Sequence, residues 1–186
     1  MTYFIRTIPN IASILKQLDD KVLNEFIPAI TEGHHCTPME RSLLSLPVRM
    51  GGLGIPIFSE ISDIEFNNSL LVTNQMVERI NSQLQEYDID QEIERTVSQT
   101  IKKERKTNQE KLLEDLRTNM SKEELRANDL AQMKGASAWL NALPLEEEGY
   151  SLNKREFFDA ISLRYSQCGA SQKIGLWASE TCHLGK

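Results

Sequence analysis

Residues 51–56, with the sequence Gly-Gly-Leu-Gly-Ile-Pro, are the strongest break in a chain whose apolar residues otherwise recur at helical spacing. A helix cannot continue through glycines and a proline set so close together, so one helix must end before this stretch and another must begin after it. Apolar residues follow three-and-four spacing from Ile11 to Ile30, and a longer helical pattern starts near Ser59. No run alternates convincingly between apolar and polar residues. The sequence therefore predicts an all-α fold, an extended multi-helix arrangement with a long charged helix and little or no strand.

Three short motifs predict where helices begin. In residues 37–40 (TPME) and 121–124 (SKEE), a hydroxyl side chain stands three positions before a glutamate, which is the pattern of a capping box. Residues 153–156 (NKRE) place an asparagine in the same position before the last helical pattern. Such side chains accept hydrogen bonds from N–H groups that the first helical turn leaves unpaired. We expect helices to begin at these points and at least half of the residues to be helical.

These patterns divide the chain into four regions. Residues 1–58 are an N-terminal helical segment ending in the Gly-rich turn, 59–134 are long helices with a charged linker, 135–166 are a C-terminal helical pair, and 167–186 are an irregular tail. Two helices joined by a short Pro/Gly loop usually pack antiparallel, so the pair should form one apolar cluster. Its expected members are Trp139, Leu140, Leu143, Phe157, Ile161 and Tyr165.

Composition excludes several classes of protein. The 186 residues are 40% hydrophobic and 26% charged, which is typical of a globular chain rather than a disordered one. The formal net charge of −6 opposes nonspecific binding of the whole surface to phosphate backbones. Three cysteines do not make a disulfide framework and favour a reducing compartment. No signal-peptide pattern or long apolar run is visible, so we expect an intracellular protein, cytoplasmic or nuclear, without a membrane partner.

His34, His35 and Cys36 are the most obvious candidates for metal ligands, with Cys182 and His183 as partners from far along the chain. Adjacent side chains rarely converge on one ion, and no CxxC or HxxxH spacing accompanies these residues. We interpret the His-His-Cys run as solvent-exposed loop residues. The sequence predicts no metal site and no cofactor.

Other polar residues give no catalytic constellation. Asp19 and Asp20 fall within an amphipathic helical pattern, and we interpret them as part of its solvated face. Three histidines in all, with no serine at a recognisable offset, argue against a hydrolase triad. The Gly-rich break lacks the lysine and serine of a phosphate-binding loop, so we interpret it as a turn. We predict no catalytic residues.

The basic cluster of note consists of Lys102, Lys103, Arg105 and Lys106. On a helix Lys102 shares a face with Arg105 or Lys106, so two or three phosphates could be contacted. This cluster is the candidate site for weak binding to RNA or DNA. The competing interpretation is that these side chains balance nearby glutamates on a solvated helix. Both interpretations stay open on the sequence alone.

Three motifs, taken in order, resemble a known family. They are residues 2–9 (TYFIRTIP), residues 40–55 (ERSLLSLPVRMGGLGI), and residues 134–145 (KGASAWLNALPL) continuing to 157–165 (FFDAISLRY). Together they resemble the segment downstream of the polymerase domain in reverse-transcriptase-like proteins of animal retrotransposons. In that family the LPxRxGGLGI element follows the polymerase, and a charged helical linker separates it from the last two elements. The resemblance covers about residues 2–165, with the linker matched only in character.

The chain departs from that family at the residues that would carry chemistry. The polymerase signature, an aromatic residue, any residue and two aspartates, is absent, because no aromatic residue stands two positions before Asp19. Without those carboxylates nothing holds the two metal ions of nucleotidyl transfer. The family's cysteine/histidine knuckle is also incomplete, since Ser166 replaces its first ligand and no histidine lies between Cys168 and Cys182. We therefore expect no zinc bound by the tail.

The resemblance thus implies a non-catalytic fragment of a retroelement-type reverse-transcriptase-like protein. Such a fragment would assist nucleic-acid binding weakly or organise the other domains of a parent polyprotein. The alternative is a helical protein-interaction module unrelated to nucleic acid. Salt-dependent binding to RNA or DNA distinguishes the two hypotheses, since only contacts with phosphates release counterions.

Overall fold

The structure is a computed structural model that describes residues 2–83, 91–143 and 145–165, and every regular element in those ranges is helical. The predicted all-α fold is confirmed, and the described residues contain no strand. No helix among them is long and apolar enough to span a membrane. The predicted irregular tail, residues 167–186, lies outside the described residues.

The helical elements follow one another along the whole described chain. In order they are α1 (Thr2–Thr7), α2 (Ala12–Lys21), a π-helical turn (Val22–Phe26), α3 (Ile27–Ile30), α4 (Pro38–Ser45), a 3₁₀ turn (Val48–Met50), α5 (Phe58–Asn81), α6 (Gln91–Asn119), α7 (Lys122–Gln132), a second 3₁₀ turn (Ala138–Asn141) and α8 (Lys154–Arg164). The break predicted at residues 51–56 is confirmed, because it lies in the irregular segment that precedes α5.

The chain divides into two compact units, and each combines two stretches that are distant in sequence. Unit 1 comprises Met1–Asp20 and Pro56–Glu114, and unit 2 comprises Lys21–Ile55 and Asp115–Lys186. The four regions predicted from the sequence follow one another along the chain, and their boundaries stay a prediction. One boundary between the units falls within the Gly-rich segment, because unit 2 includes residues up to Ile55 and unit 1 resumes at Pro56.

The three predicted capping motifs begin three helices. At α4 the Thr37 hydroxyl accepts a hydrogen bond from the Glu40 N–H at 3.2 Å, while the Glu40 carboxylate accepts one from the Thr37 N–H at 2.7 Å. The same reciprocal pairs begin α7 at Ser121 and α8 at Asn153. Each pair satisfies donors that a helix start would otherwise leave unpaired, which explains why these starts are readable locally.

The helical pattern predicted from Ile11 to Ile30 is divided among three elements, and the prediction of one shared apolar face was wrong for Ile14 and Phe26, which are 67% and 49% exposed. The π-helical turn precedes Pro28, and the N–H of Ile27 donates to the carbonyl of Val22, five residues earlier. A proline lacks the N–H of a regular helical residue, and its ring would clash with the carbonyl four residues back, that of Asn24. A local change of hydrogen-bond register is a known response to such a conflict. The helix then ends at Ile30, close to the predicted truncation.

The hydrophobic core of unit 2 joins residues from both of its sequence segments. Ile27, Leu44, Ile161 and Tyr165 are buried together, and Trp139 and Phe157 pack against them. The two rings meet edge to face with 6.0 Å between centroids. Most of the predicted C-terminal cluster is therefore present. Leu140 is only half-buried, however.

The prediction was wrong for Leu143, which is 71% exposed. The 3₁₀ turn that presents Trp139 ends at Asn141. Leu143 therefore lies beyond the turn and not on its packed side.

Unit 1 is built around α5. The short helix α1 packs along α5 and buries Ile5 completely. Glu65 of α5 accepts from Arg6 of α1 at 3.4 Å and from Arg105 of α6 at 2.5 Å. One carboxylate whose side chain is only 12% exposed therefore links three helices of this unit. Such a partly buried pair is less screened by salt than an ion pair at the surface.

Candidate functional site

A buried arginine holds the Gly-rich break of unit 2. Arg164 of α8 is only 7% exposed, and its guanidinium donates to the carbonyl of Val48 at 2.9 Å and to that of Gly52 at 3.1 Å. The same guanidinium donates to the Ser137 hydroxyl and, at 3.5 Å, to the Ala131 carbonyl. Charge-assisted hydrogen bonds are about twice as strong as neutral ones. Arg164 therefore adds side-chain hydrogen bonds to the backbone of the 3₁₀ turn and of Gly52, which follows it.

A buried asparagine of α7 holds the same stretch from another side. Asn128 is 4% exposed and donates to the Met50 carbonyl at 3.3 Å. Its own side-chain oxygen accepts from Arg117 at 3.0 Å and from Gln132 at 2.5 Å. We call Arg164, Asn128 and the backbone of residues 48–52 the loop clasp. All of its polar side-chain atoms serve internal acceptors or donors, so its role is to shape the turn.

The glycines of the loop clasp are required by close contact. A Cβ on Gly52 would lie 2.6 Å from the Leu43 carbonyl oxygen and still closer to that of Leu46. Gly51 has φ +90, and a Cβ there would strike the side chain of Asn128. By contrast, nothing lies within 4 Å of a Cβ built on Gly54. The prediction of a turn is confirmed, and the structure adds why two of its glycines admit no side chain.

The predicted nucleic-acid-binding residues lie together on α6, and all four are exposed. Arg105 is paired with Glu65 of α5, and Lys106 lies 3.6 Å from Glu110 one helical turn away. Among the residues that the structure describes, Lys102 and Lys103 have no carboxylate within 4 Å. The structure thus places two of the four cations in ion pairs and leaves two facing solvent.

Asp19 was predicted to lie on a solvated helix face, and this prediction was wrong. Its side chain is buried at 8% exposure, and its two oxygens accept from the N–H groups of Phe58 and Ser59, each at 2.8 Å. Asp19 therefore caps α5 from 39 residues away in sequence. A carboxylate at a helix N-terminus also interacts favourably with the helix dipole. Asp20 is exposed, as expected.

The His-His-Cys run was predicted to be exposed, and the structure corrects this for two of its members. His35 is exposed, but His34 and Cys36 are half-buried, and Cys36 packs against the core of unit 2. His34 Nε2 lies 3.2 Å from both carboxylate oxygens of Glu40. One ligand atom each of His34, Cys36 and Glu40 lies within 4.8 Å of the others.

The ionisation of these groups reflects their partial burial. Burial, followed by the nearby charge of Glu40, raises the pKa of the Cys36 thiol to about 11, although Arg41 acts in the opposite direction. Burial alone would also raise the pKa of Glu40. The hydrogen bonds from Thr37 and His34 outweigh it and hold that pKa below its usual value.

A spacing in the sequence could have indicated the His34, Cys36 and Glu40 cluster. The roles of Arg164 and Asp19 have no such local signal. Glu40 follows Cys36 by four residues and His34 by six, a spacing that matches neither CxxC nor HxxxH. Arg164 belongs to the LRY element, and nothing in that element predicts a contact with residues 48–52. No local pattern marks Asp19 as a cap, because its partners belong to a distant segment.

Comparisons with protein-family models, with curated proteins and with solved structures find no match to this chain. The resemblance to reverse-transcriptase-like proteins therefore rests on the three motifs alone and stays a prediction.

Proposed function

We propose that this chain is a non-catalytic helical region of a retroelement-type reverse-transcriptase-like protein that organises neighbouring domains of its parent protein and contacts nucleic acid weakly. The observation that supports the proposal is the loop clasp. It joins two of the motifs that carry the resemblance, because Arg164 of the LRY element donates to the backbone of Val48 and Gly52 in the LPVRMGGLGI element. Motifs that pack on one another in this way behave as parts of one folded unit.

The absence of catalysis is part of this proposal. The sequence lacks the polymerase signature of an aromatic residue, any residue and two aspartates, and Asp19 is engaged as a helix cap. Arg164, the buried arginine of the last motif, makes hydrogen bonds to the backbone carbonyls of Val48 and Gly52. A structural role is the simplest use of side chains that are already satisfied inside the unit. We also infer an intracellular location, cytosolic or nuclear, from the cysteine usage.

Nucleic-acid contact is assigned mainly to Lys102 and Lys103. Arg105 and Lys106 would have to leave carboxylate partners before they could bind phosphates. Affinity for duplex should therefore fall with salt at a log–log slope of about −2, as two phosphate contacts produce. Stacking adds little, because no aromatic residue lies near the cluster in sequence.

The test compares two double variants of equal net charge. Lys102→Gln/Lys103→Gln should abolish salt-dependent binding to RNA or DNA at low salt, while Arg105→Gln/Lys106→Gln should retain most of it. Equal loss in both variants would indicate a general charge effect, and no binding by the wild type would remove nucleic acid from the proposal. Polymerase motifs encoded in frame upstream of Met1 would support the family assignment, and an unrelated leader there would contradict it.

A second candidate function is a helical protein-interaction module unrelated to nucleic acid. The observation that favours it is the second half of α5, whose large apolar residues are exposed. They are Leu70 at 50%, Leu71 at 61%, Met76 at 45%, Val77 at 46% and Ile80 at 60%. Clustered exposed apolar side chains are typical of surfaces that bind other proteins. Absence of any salt-dependent binding to nucleic acid would favour this function.

A further inference from the structure

We propose that His34, Cys36 and Glu40 form a binding site for Zn²⁺ in unit 2. The three side chains offer an imidazole nitrogen, a sulfur and a carboxylate oxygen, which are the donor types found in protein zinc sites. They come from a loop and from the first turn of α4, within seven consecutive residues. Nothing in the proposed role of the chain requires this site, so the two proposals stand apart.

One of the three donor separations is close to that of a tetrahedral zinc site. Zinc binds nitrogen and oxygen at about 2.0–2.2 Å and sulfur at about 2.3 Å, so ligand atoms on a tetrahedron lie about 3.3–3.6 Å apart. His34 Nε2 lies 3.2 Å from Glu40 Oε1, close to that spacing. The two separations that involve the Cys36 sulfur are within 4.8 Å, so the side chains would have to close in by up to about 1.5 Å to bind the ion. Three protein ligands leave the fourth position for water.

The capping box orients the carboxylate for this purpose. Glu40 Oε2 accepts from the Thr37 N–H at 2.7 Å, while both carboxylate oxygens lie 3.2 Å from His34 Nε2. A ligating carboxylate that is itself hydrogen-bonded is the usual outer-shell arrangement of metal sites. Thr37 would therefore be a positioning residue and Glu40 a ligand.

Burial distinguishes this cluster from exposed surface residues. Cys36 packs against the core that contains Ile27 and Leu44, and the side chains of His34 and Glu40 are 22% and 20% exposed. A bound ion would replace the direct contact between His34 and Glu40 and tie the loop to α4. Binding would proceed with loss of the thiol proton to solvent, since the thiolate is the ligand.

The competing interpretation is that the His34–Glu40 contact alone holds the loop and no metal binds. Cobalt(II) separates the two, because cobalt bound to a thiolate gives an intense near-ultraviolet charge-transfer band. The full chain, stripped with a chelator, should take up one Co²⁺ with that band, and Zn²⁺ should displace it. Zinc should also raise the Tm of the stripped protein by mass action.

Variants assign the ligands without breaking the fold. Cys36→Ser should remove the thiolate band, and Glu40→Gln should keep the capping box while weakening zinc, because glutamine also serves at that position of a capping box. Loss of a direct ligand should weaken Zn²⁺ by roughly 100-fold or more, since outer-shell changes alone cost about 10–100-fold. His35→Gln, at the exposed neighbouring position, should bind like the wild type.

Three outcomes would overturn the proposal. One is no cobalt or zinc uptake by a stripped chain that retains its helical circular dichroism. Another is uptake unchanged in Cys36→Ser. The third is a thiolate band lost in Cys168→Ser/Cys182→Ser but kept in Cys36→Ser, which would assign the metal to the other two thiols.

Discussion

The two units use their buried polar residues in different ways. In unit 2, Arg164 and Asn128 are buried and hold an irregular turn through its carbonyl groups. In unit 1, Asp19 caps the N-terminus of α5, whereas the second half of that helix leaves large apolar side chains exposed. Unit 2 therefore depends on a few specific hydrogen bonds inside it. In unit 1 the exposed apolar residues instead follow one another along the second half of a single helix, α5, where the described residues do not cover them.

Among the variants that test this difference between the units, Gly52→Ala should lower the free energy of unfolding the most. The new methyl would meet the carbonyl groups of Leu43 and Leu46, which are backbone and cannot move aside. We expect a loss of about 3 kcal/mol or more, at the upper end of overpacking effects, confined to unit 2. Denaturant unfolding followed by Trp139 fluorescence, in a Trp177→Phe background, measures it.

Gly54→Ala is the matched control in the same loop. Its φ of +69 makes alanine strained, but nothing lies within 4 Å of the added Cβ. The cost should stay near about 1–2 kcal/mol. If both variants lost the same stability, close packing at Gly52 would not be what constrains the turn.

Arg164→Met should cause the second largest loss in the free energy of unfolding, about 3 kcal/mol. Methionine keeps much of the volume but removes the guanidinium that donates to the carbonyls of Val48 and Gly52, and a hydrogen bond from a charged group contributes about 1.5–3 kcal/mol. Arg126→Met, an exposed arginine on α7, is the control and should change stability by less than about 0.5 kcal/mol. Equal midpoints for the two variants in urea unfolding would contradict the loop clasp.

Asp19→Ala should have a smaller effect, in unit 1. Loss of the cap on Phe58 and Ser59 is expected to cost about 1–2 kcal/mol, as helix caps do. Asp20→Ala, at the exposed neighbouring position, should be nearly neutral. Far-UV circular dichroism during thermal unfolding measures both. A larger loss in Asp20→Ala than in Asp19→Ala would refute the assignment of the cap.

Leu71→Gln should have the smallest effect. The side chain is 61% exposed on α5, and surface substitutions away from special features usually stay within about 0.5 kcal/mol. Chemical denaturation of the isolated chain measures it. A loss above about 1.5 kcal/mol would mean that something covers this face in solution, and the contrast between the two units would then be weaker than the structure indicates.

Much of the secondary structure could be predicted because its causes are local. The capping boxes at Thr37 and Ser121 join residues three positions apart, and the break at residues 51–56 follows from glycine and proline themselves. The core was partly predictable, since Ile161 and Tyr165 lie one helical turn apart. The exposure of Leu143 was not predictable, because it depends on where a short 3₁₀ turn ends.

The candidate sites were less predictable than the helices. The basic cluster on α6 was visible in the sequence, but the pairing of Arg105 with Glu65 joins residues 40 positions apart. His34 and Cys36 were visible in the sequence as candidate ligands. The sequence did not show that the Glu40 carboxylate lies beside His34 while it also accepts the capping hydrogen bond from Thr37.

The sequence by itself determined that this chain is helical, where several helices begin and that a turn interrupts it near residue 52. These features depend on hydrogen bonds and torsion preferences within a few residues. Only the tertiary structure decided that Asp19 caps α5 across 39 positions and that Arg164 reaches Val48 across 116 positions. Such contacts depend on how distant segments are brought together by burial of apolar surface, a force that has no direction and leaves no local pattern.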